Sequence, residues 1–155
     1  MSFDGQGRID HLILIAEIDV LARLYGRILI PPAVLAELNH PLTPKPVREW
    51  AGNAPEWLEL LSPTDALVLP QLNIGETEAI ALATEVHADV LLIDEQAGRQ
   101  EALRRGLGVA GTLSVLDEAD DEGLLDFDTA VAALQRTSFR ISQGVLEEIR
   151  RKRSH

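Results

Sequence analysis

The order of apolar and polar positions along the chain alternates between short strand-like runs and helical patterns. Leu12–Leu24 is apolar almost all round, broken only by Glu17, Asp19 and Arg23, and stops at Gly26. It reads as one mostly buried helix. Arg27-Ile28-Leu29-Ile30 is a β-branched-rich strand cut off by Pro31-Pro32, and Pro32 is suited to open a helix over Ala33–Leu38. Asn39-His40-Pro41 breaks that helix. The proline-interrupted stretch from Pro41 to Pro63 holds a short helix at Val47–Trp50 and a strand at Trp57–Leu61. After Asn73 a helix runs to about Ala88, followed by Val90–Ile93, a continuous apolar run of the kind buried on both faces of a parallel sheet. An Arg- and Glu-rich helix ends at Gly106, Val109-Ala110 is a short last strand, and helices follow at Leu113–Glu122, Asp128–Gln135 and Ser142–Arg153.

Strands separated by helices imply βαβ crossovers, and hence a three-layer α/β/α sandwich with a mainly parallel sheet of four to five strands. No self-similarity at periods of 20 to 50 residues argues for a solenoid or propeller. At 155 residues the length suits a single domain over 1–155, with a degenerate first strand in 1–11 and a charged C-terminal helix in 142–153.

Composition narrows the chemistry. With 46% hydrophobic and 25% charged residues the chain is ordinary globular material. Zero cysteines remove disulfides, thiolate nucleophiles and cysteine-based metal sites. The apolar runs are far shorter than the roughly 20 residues a membrane-spanning helix needs. MSFDGQGRID lacks the basic and apolar regions of a secretion signal, so no membrane association and a cytoplasmic location are expected. The net charge of −11 argues against broad phosphate neutralisation. It leaves room for a small acidic site loaded with divalent cations.

In open parallel sheets ligands bind beyond the carboxyl ends of the strands. Asp94 ends the strongest strand, either as a helix cap or as a functional carboxylate. Stepping 100° per residue from Glu76 places Ala79, Ile80, Ala83 and Val86 on its side, and Glu78 and Glu85 opposite. Glu76 is thus either directed inward or held in the first turn by the helix dipole, while Glu78 and Glu85 read as solvated. Glu37 flanks the apolar arc of Val34, Leu35 and Leu38, where it either reaches solvent or joins Asp94 at the same sheet edge. Clustered carboxylates repel one another unless a cation intervenes, and oxygen-only ligation suits Mg²⁺ or Mn²⁺. The fitting reaction is phosphodiester hydrolysis. His11, His40, His87 and His155 show no zinc-hydrolase spacing, and His87 reads as a helix-end residue. Gly106, Gly108 and Gly111 read as turn residues. The basic stretch Arg150–Arg153 reads as a solvated last helical turn rather than an RNA contact.

Four ordered blocks, Ile30–Leu38, Gly75–Ala83, Leu91–Glu95 and Gly111–Leu113, resemble the PIN-domain family. The closest likeness is to a bacterial branch of predicted nucleic-acid-binding proteins related to the toxin ribonucleases of toxin–antitoxin pairs. The resemblance spans about Leu12 to Arg150. It implies an acidic quartet binding Mg²⁺ or Mn²⁺ for cleavage of single-stranded RNA, with Glu37, Glu76 and Asp94 as three of the four. It also implies an antitoxin partner and a homodimer. The family's first acid ends the first strand; aligning Leu12-Ile13 with that motif puts Arg8 at its position. Asp10 is the nearest substitute and completes the expected set, with Asp4 the alternative. The competing expectation is an impaired PIN-like binding module for nucleic acid or protein. A phosphoacceptor signalling domain fits less well, because its early acidic pair and late strand-end lysine are missing.

Overall fold

The computed structural model of the chain describes residues 9–65, 67, 69–94 and 96–154, together with the backbone of residues 2–4. Five short strands are β1 (Ser2–Asp4), β2 (Ile28–Ile30), β3 (Leu58–Leu60), β4 (Val90–Leu92) and β5 (Val109–Ala110). All pair in parallel, in the order β3-β2-β1-β4-β5. The N-terminal strand is therefore central, with Ser2 opposite both Ile28 and Val90 and Asp4 opposite Leu92. Three residues carry too little alternation to announce a strand, and the Gly5-Gln6-Gly7 segment and Arg8 lie outside the described residues.

Nine helices among the described residues surround this sheet: α1 (Ile9–Leu14), α2 (Val20–Tyr25), α3 (Pro32–Leu38), α4 (Lys45–Gly52), α5 (Ile74–Val86), α6 (Gln96–Arg104), α7 (Thr112–Asp121), α8 (Phe127–Gln135) and α9 (Gln143–Arg153). The strand pleat sends alternate residues to opposite layers. Ile28, Ile30 and Leu92 join a core with α1–α4 and α7–α9, built on Ile9, Leu21, Val34, Leu116 and Phe127. Leu29, Leu91 and Ile93 join a second core with Ile80, Leu82 and Ala83 of α5 and Ala102 of α6. That is the expected α/β/α arrangement.

The apolar stretch Leu12–Leu24 is not one helix. Glu17 N–H donates to Leu12 O at 2.9 Å and Ala16 N–H to Ile13 O at 3.0 Å, with Ala16 left-handed at φ 61°. This paired closure is a Schellman motif ending α1. Glycine usually marks such an end, and an alanine there gives no sequence signal.

The helix ends otherwise follow familiar chemistry. Asn73 and Glu76 form a capping box on α5, and Ser142 caps α9. His87 ends α5 in the left-handed conformation at φ 53°, as its helix-end reading anticipates. Arg153 ties α9 back to α7, reaching Asp117 at 2.6 Å and Asp120 at 2.5 Å and lying over the Phe127 ring. No helix among the described residues is long and apolar enough to cross a membrane.

Candidate active site

Strand order reverses at β1. The chain proceeds from β1 to β2 and β3 on one side, then crosses to β4 and β5 on the other. The crevice beyond the carboxyl ends of β1 and β4 is the switch point, where parallel sheets bind their ligands. Asp4 is the last residue of β1 in backbone register, and Asp94 lies two residues past the end of β4.

Asp94 is half-buried and tightly held. Its Oδ1 accepts from the Thr112 backbone N–H at 2.8 Å and its Oδ2 from the Thr112 hydroxyl at 2.7 Å. Thr112 is the first residue of α7, so Asp94 serves an N-terminus 18 residues away in sequence. Of the two sequence readings the capping one is seen, although the helix served is α7 and not the α6 segment that directly follows. Gly111 makes room for it: a Cβ there would stand 2.7 Å from Asp94 Oδ1 and 3.0 Å from Arg99 Nη1. Its φ of −94° suits any residue, so Gly111 answers to close approach rather than to a turn. Gly108 likewise abuts the Asp89 carbonyl oxygen, at 2.7 Å from a would-be Cβ, whereas Gly106 at φ 79° is a turn glycine as expected.

Glu76 is 3% exposed in the first turn of α5. Asn73 Oδ1 accepts from its backbone N–H at 2.8 Å, and Glu76 Oε1 accepts from the Asn73 N–H at 3.3 Å. It is both inward and part of a cap, which joins the two sequence readings. Glu76 Oε2 faces α6, where a Cβ on Gly98 would stand 3.0 Å from it and would collide with the Ile93 side chain. Glu37, half-buried near the end of α3, abuts the start of α5: its Oε1 is 3.0 Å from a Cβ built on Gly75. The first turn of α5 thus meets Glu37 at Gly75 and α6 at Glu76, next to the glycine that lets α6 approach.

Asp10 sits in α1, where its Oδ1 accepts from the His11 N–H at 2.8 Å and lies 2.9 Å from His11 Nδ1. The His11 ring meets Phe139 edge-on at 5.1 Å. Among the described residues no three acids or histidines gather as a metal-binding group, and only the backbone of Asp4 is described.

Two outward glutamates are not simply solvated. Glu78 Oε1 accepts from the Ala33 N–H at 3.0 Å, at the start of α3. Glu85 accepts from the Thr64 N–H and hydroxyl and the Asp65 N–H at 2.8 to 2.9 Å. Those donors hold its carboxyl below the ordinary 4.5.

Next to Asp94 opens a cleft of about 420 Å³ lined by Arg99 of α6, Gly111, and Phe139, Arg140 and Ser142 ahead of α9. Neither arginine was singled out by sequence pattern. Thr112, Asn73, Gly98 and Gly111 were also missed as supports of the acids, although Gly111-Thr112 stands in one of the four ordered blocks.

The sheet order and the helices on both its faces define a doubly wound α/β protein, with Asp94 just beyond the strand ends. A family model described as a PIN domain matches residues 8–155, starting just after β1, and the chain belongs to the PIN-domain family. This is a nuclease-type fold that points to a nucleic-acid substrate, and PIN domains generally use divalent metal ions. No curated protein and no solved structure matches the chain significantly.

Proposed function

We propose that this protein is a metal-dependent endoribonuclease that hydrolyses phosphodiester bonds in single-stranded RNA and serves as the toxin of a toxin–antitoxin pair. The observation that carries this reading is the register of β1 and β4, which pairs the backbone of Asp4 with Leu92, two residues before Asp94, at the switch point.

The donors fit a hard divalent ion in kind: carboxylate oxygens from Glu37, Glu76 and Asp94, in a chain with no cysteine. A fourth acid from the N-terminal segment completes the set. Asp4 is favoured over Asp10, because β1 ends in the crevice while the Asp10 carboxylate already serves His11. Bound there, Mg²⁺ or Mn²⁺ supplies polarisation of the phosphoryl oxygen and an acidified water.

The chain's own part is positioning. Thr112 fixes the rotation of the Asp94 carboxylate through two hydrogen bonds. Asn73 fixes Glu76 through its backbone and one carboxylate oxygen. Acids held this way undergo little rearrangement on loading, which lowers the cost of assembling the site.

Purified protein incubated with single-stranded RNA should cleave it with Mn²⁺ and not with chelator, and Asp94→Asn should abolish the cleavage. Absence of cleavage in Mn²⁺, or full cleavage by Asp94→Asn, refutes the nuclease reading. If Mn²⁺ titration also gives no heat and RNA binding ignores chelator, the binding-module reading replaces it. The toxin role predicts growth arrest on expression in a bacterial host, absent with Asp94→Asn and relieved by an antitoxin partner. Light scattering of the purified chain tests the homodimer.

A further inference from the structure

We propose that the cleft between α6 and the start of α9 is a nucleotide-binding subsite that holds a backbone phosphate of the RNA strand on Arg99 and Arg140, beside the acidic crevice. This inference rests on the nuclease reading for its substrate class and adds the residues that seat the strand.

Charge and place together pick out these two arginines. The chain carries 14 Lys and Arg against 25 Asp and Glu, and seven of the thirteen described cations are committed to acids. Arg104 and Arg105 pair with buried Glu101, Arg27 with Glu59, Lys45 with Glu49, Arg150 with Asp128, Lys152 with Glu148 and Arg153 with Asp117 and Asp120. Among the described residues Arg23, Arg48, Arg99, Arg136, Arg140 and Arg151 make no ion pair, and of these Arg99 and Arg140 line the cleft beside Asp94. Guanidinium forks match phosphate oxygens better than any other side chain does.

Position links the cleft to the chemistry. Arg99 Nη1 and Asp94 Oδ1 flank the same glycine, 3.0 and 2.7 Å from a Cβ built on Gly111. A phosphate on Arg99 is therefore a near neighbour of the Asp94 carboxylate, and that carboxylate is turned toward Thr112. A volume of about 420 Å³ falls within the range of small-ligand sites, about 300–1,000 Å³, and suits one nucleotide unit rather than a duplex. Phe139 supplies an aromatic wall against which an unpaired base can pack. Ser142 adds a hydroxyl at the cleft wall. A phosphate held on arginine and a base packed on an aromatic ring are contacts open to any nucleotide, so these two are expected to tolerate sequence.

The test uses the full chain and a fluorescent, non-cleavable 2′-O-methyl single-stranded oligonucleotide, followed by anisotropy in chelator so that no cleavage is read. Arg99→Ala and Arg140→Ala should each weaken binding about ten-fold, and each should flatten the slope of log affinity against log salt by about 0.7. Arg151→Ala, on the exposed face of α9, should change neither. Arg140 is exposed, so its variant keeps the test valid if Arg99→Ala folds poorly. In the cleavage assay Arg140→Ala should raise KM and leave kcat near wild type. Unchanged oligonucleotide binding in Arg140→Ala, or no binding by wild-type protein, overturns the subsite. Arginine-dependent binding by a protein that cleaves nothing supports the subsite and overturns the nuclease reading instead.

Discussion

Gly111→Ala adds one methyl group at the point where Asp94 meets α7. The backbone at Gly111, φ −94° and ψ 176°, is ordinary for alanine, so the substitution carries no conformational strain. Its cost is steric: the new Cβ stands 2.7 Å from Asp94 Oδ1 and 3.0 Å from Arg99 Nη1. Arg99 can swing its flexible end away. Asp94 cannot move without giving up a hydrogen bond from Thr112, 2.7 or 2.8 Å long. Overpacking costs about 1–3 kcal/mol, and a hydrogen bond to a charged acceptor contributes about 1.5–3 kcal/mol. Because Asp94 is half-buried we take the lower part of both ranges, about 2 kcal/mol in all, or a fall of roughly 4–8 °C in Tm. Urea denaturation followed by circular dichroism measures it, and a double-mutant cycle assigns it. In an Asp94→Ala background the clash is gone, so the Gly111→Ala cost should drop below about 0.5 kcal/mol. Gly108→Ala, whose Cβ meets the Asp89 carbonyl at 2.7 Å, should destabilise equally in both backgrounds. The reasoning fails if Gly111→Ala is neutral, or if its cost survives removal of the Asp94 carboxylate.

Tyr25 is the sole tyrosine, so phenolate absorbance reports on it alone. Burial, and then its 2.7 Å hydrogen bond to Glu118, raise its phenol above the ordinary 10.0. The folded protein should stay un-ionised at pH values where the unfolded chain titrates. The associated stability is present below the unfolded value and lost as pH rises toward the folded one; an ordinary titration in folded protein contradicts this. Glu85 runs the other way: its depressed carboxyl contributes above the unfolded value, near 4.5, and that contribution disappears as pH falls through the folded one. Thr64 and Asp65 amide resonances should shift in that acid window in wild type and not in Glu85→Gln. Ala16→Gly should stabilise the protein by up to about 1 kcal/mol by relieving the left-handed alanine at φ 61°, and a lower urea midpoint would show that Ala16 is unstrained.

Much of this fold is legible because its signals are local. The proline opening at Pro32, the breaker after Leu38 and the two-sided apolar run ending in Ile93 mark elements without reference to distant parts of the chain. Two features hide because their cause is tertiary or their span too short. The break at Ala16 uses a residue that ordinarily extends helices. Ser2–Asp4 becomes a strand through neighbours on both sides, since three residues show no period of their own. Of the candidate acids, Glu76 and Asp94 are visible from helical phase and strand-end position. Their supports are not: Thr112 lies 18 residues from Asp94, and Gly98 is recognisable only once α6 is seen against Glu76. Glu78 shows the converse, since the helical step that turns it away from α5's core carries it to the N-terminus of α3.

On the proposed function an acid at the end of β1 completes a metal site with Glu37, Glu76 and Asp94. The most direct measurement is calorimetric titration of Mn²⁺ into wild-type protein, Asp4→Asn and Asp10→Asn, each checked for folding by circular dichroism. Wild type and Asp10→Asn should give a binding isotherm that is lost in Asp4→Asn. An isotherm retained in Asp4→Asn, or absent from wild type, contradicts it.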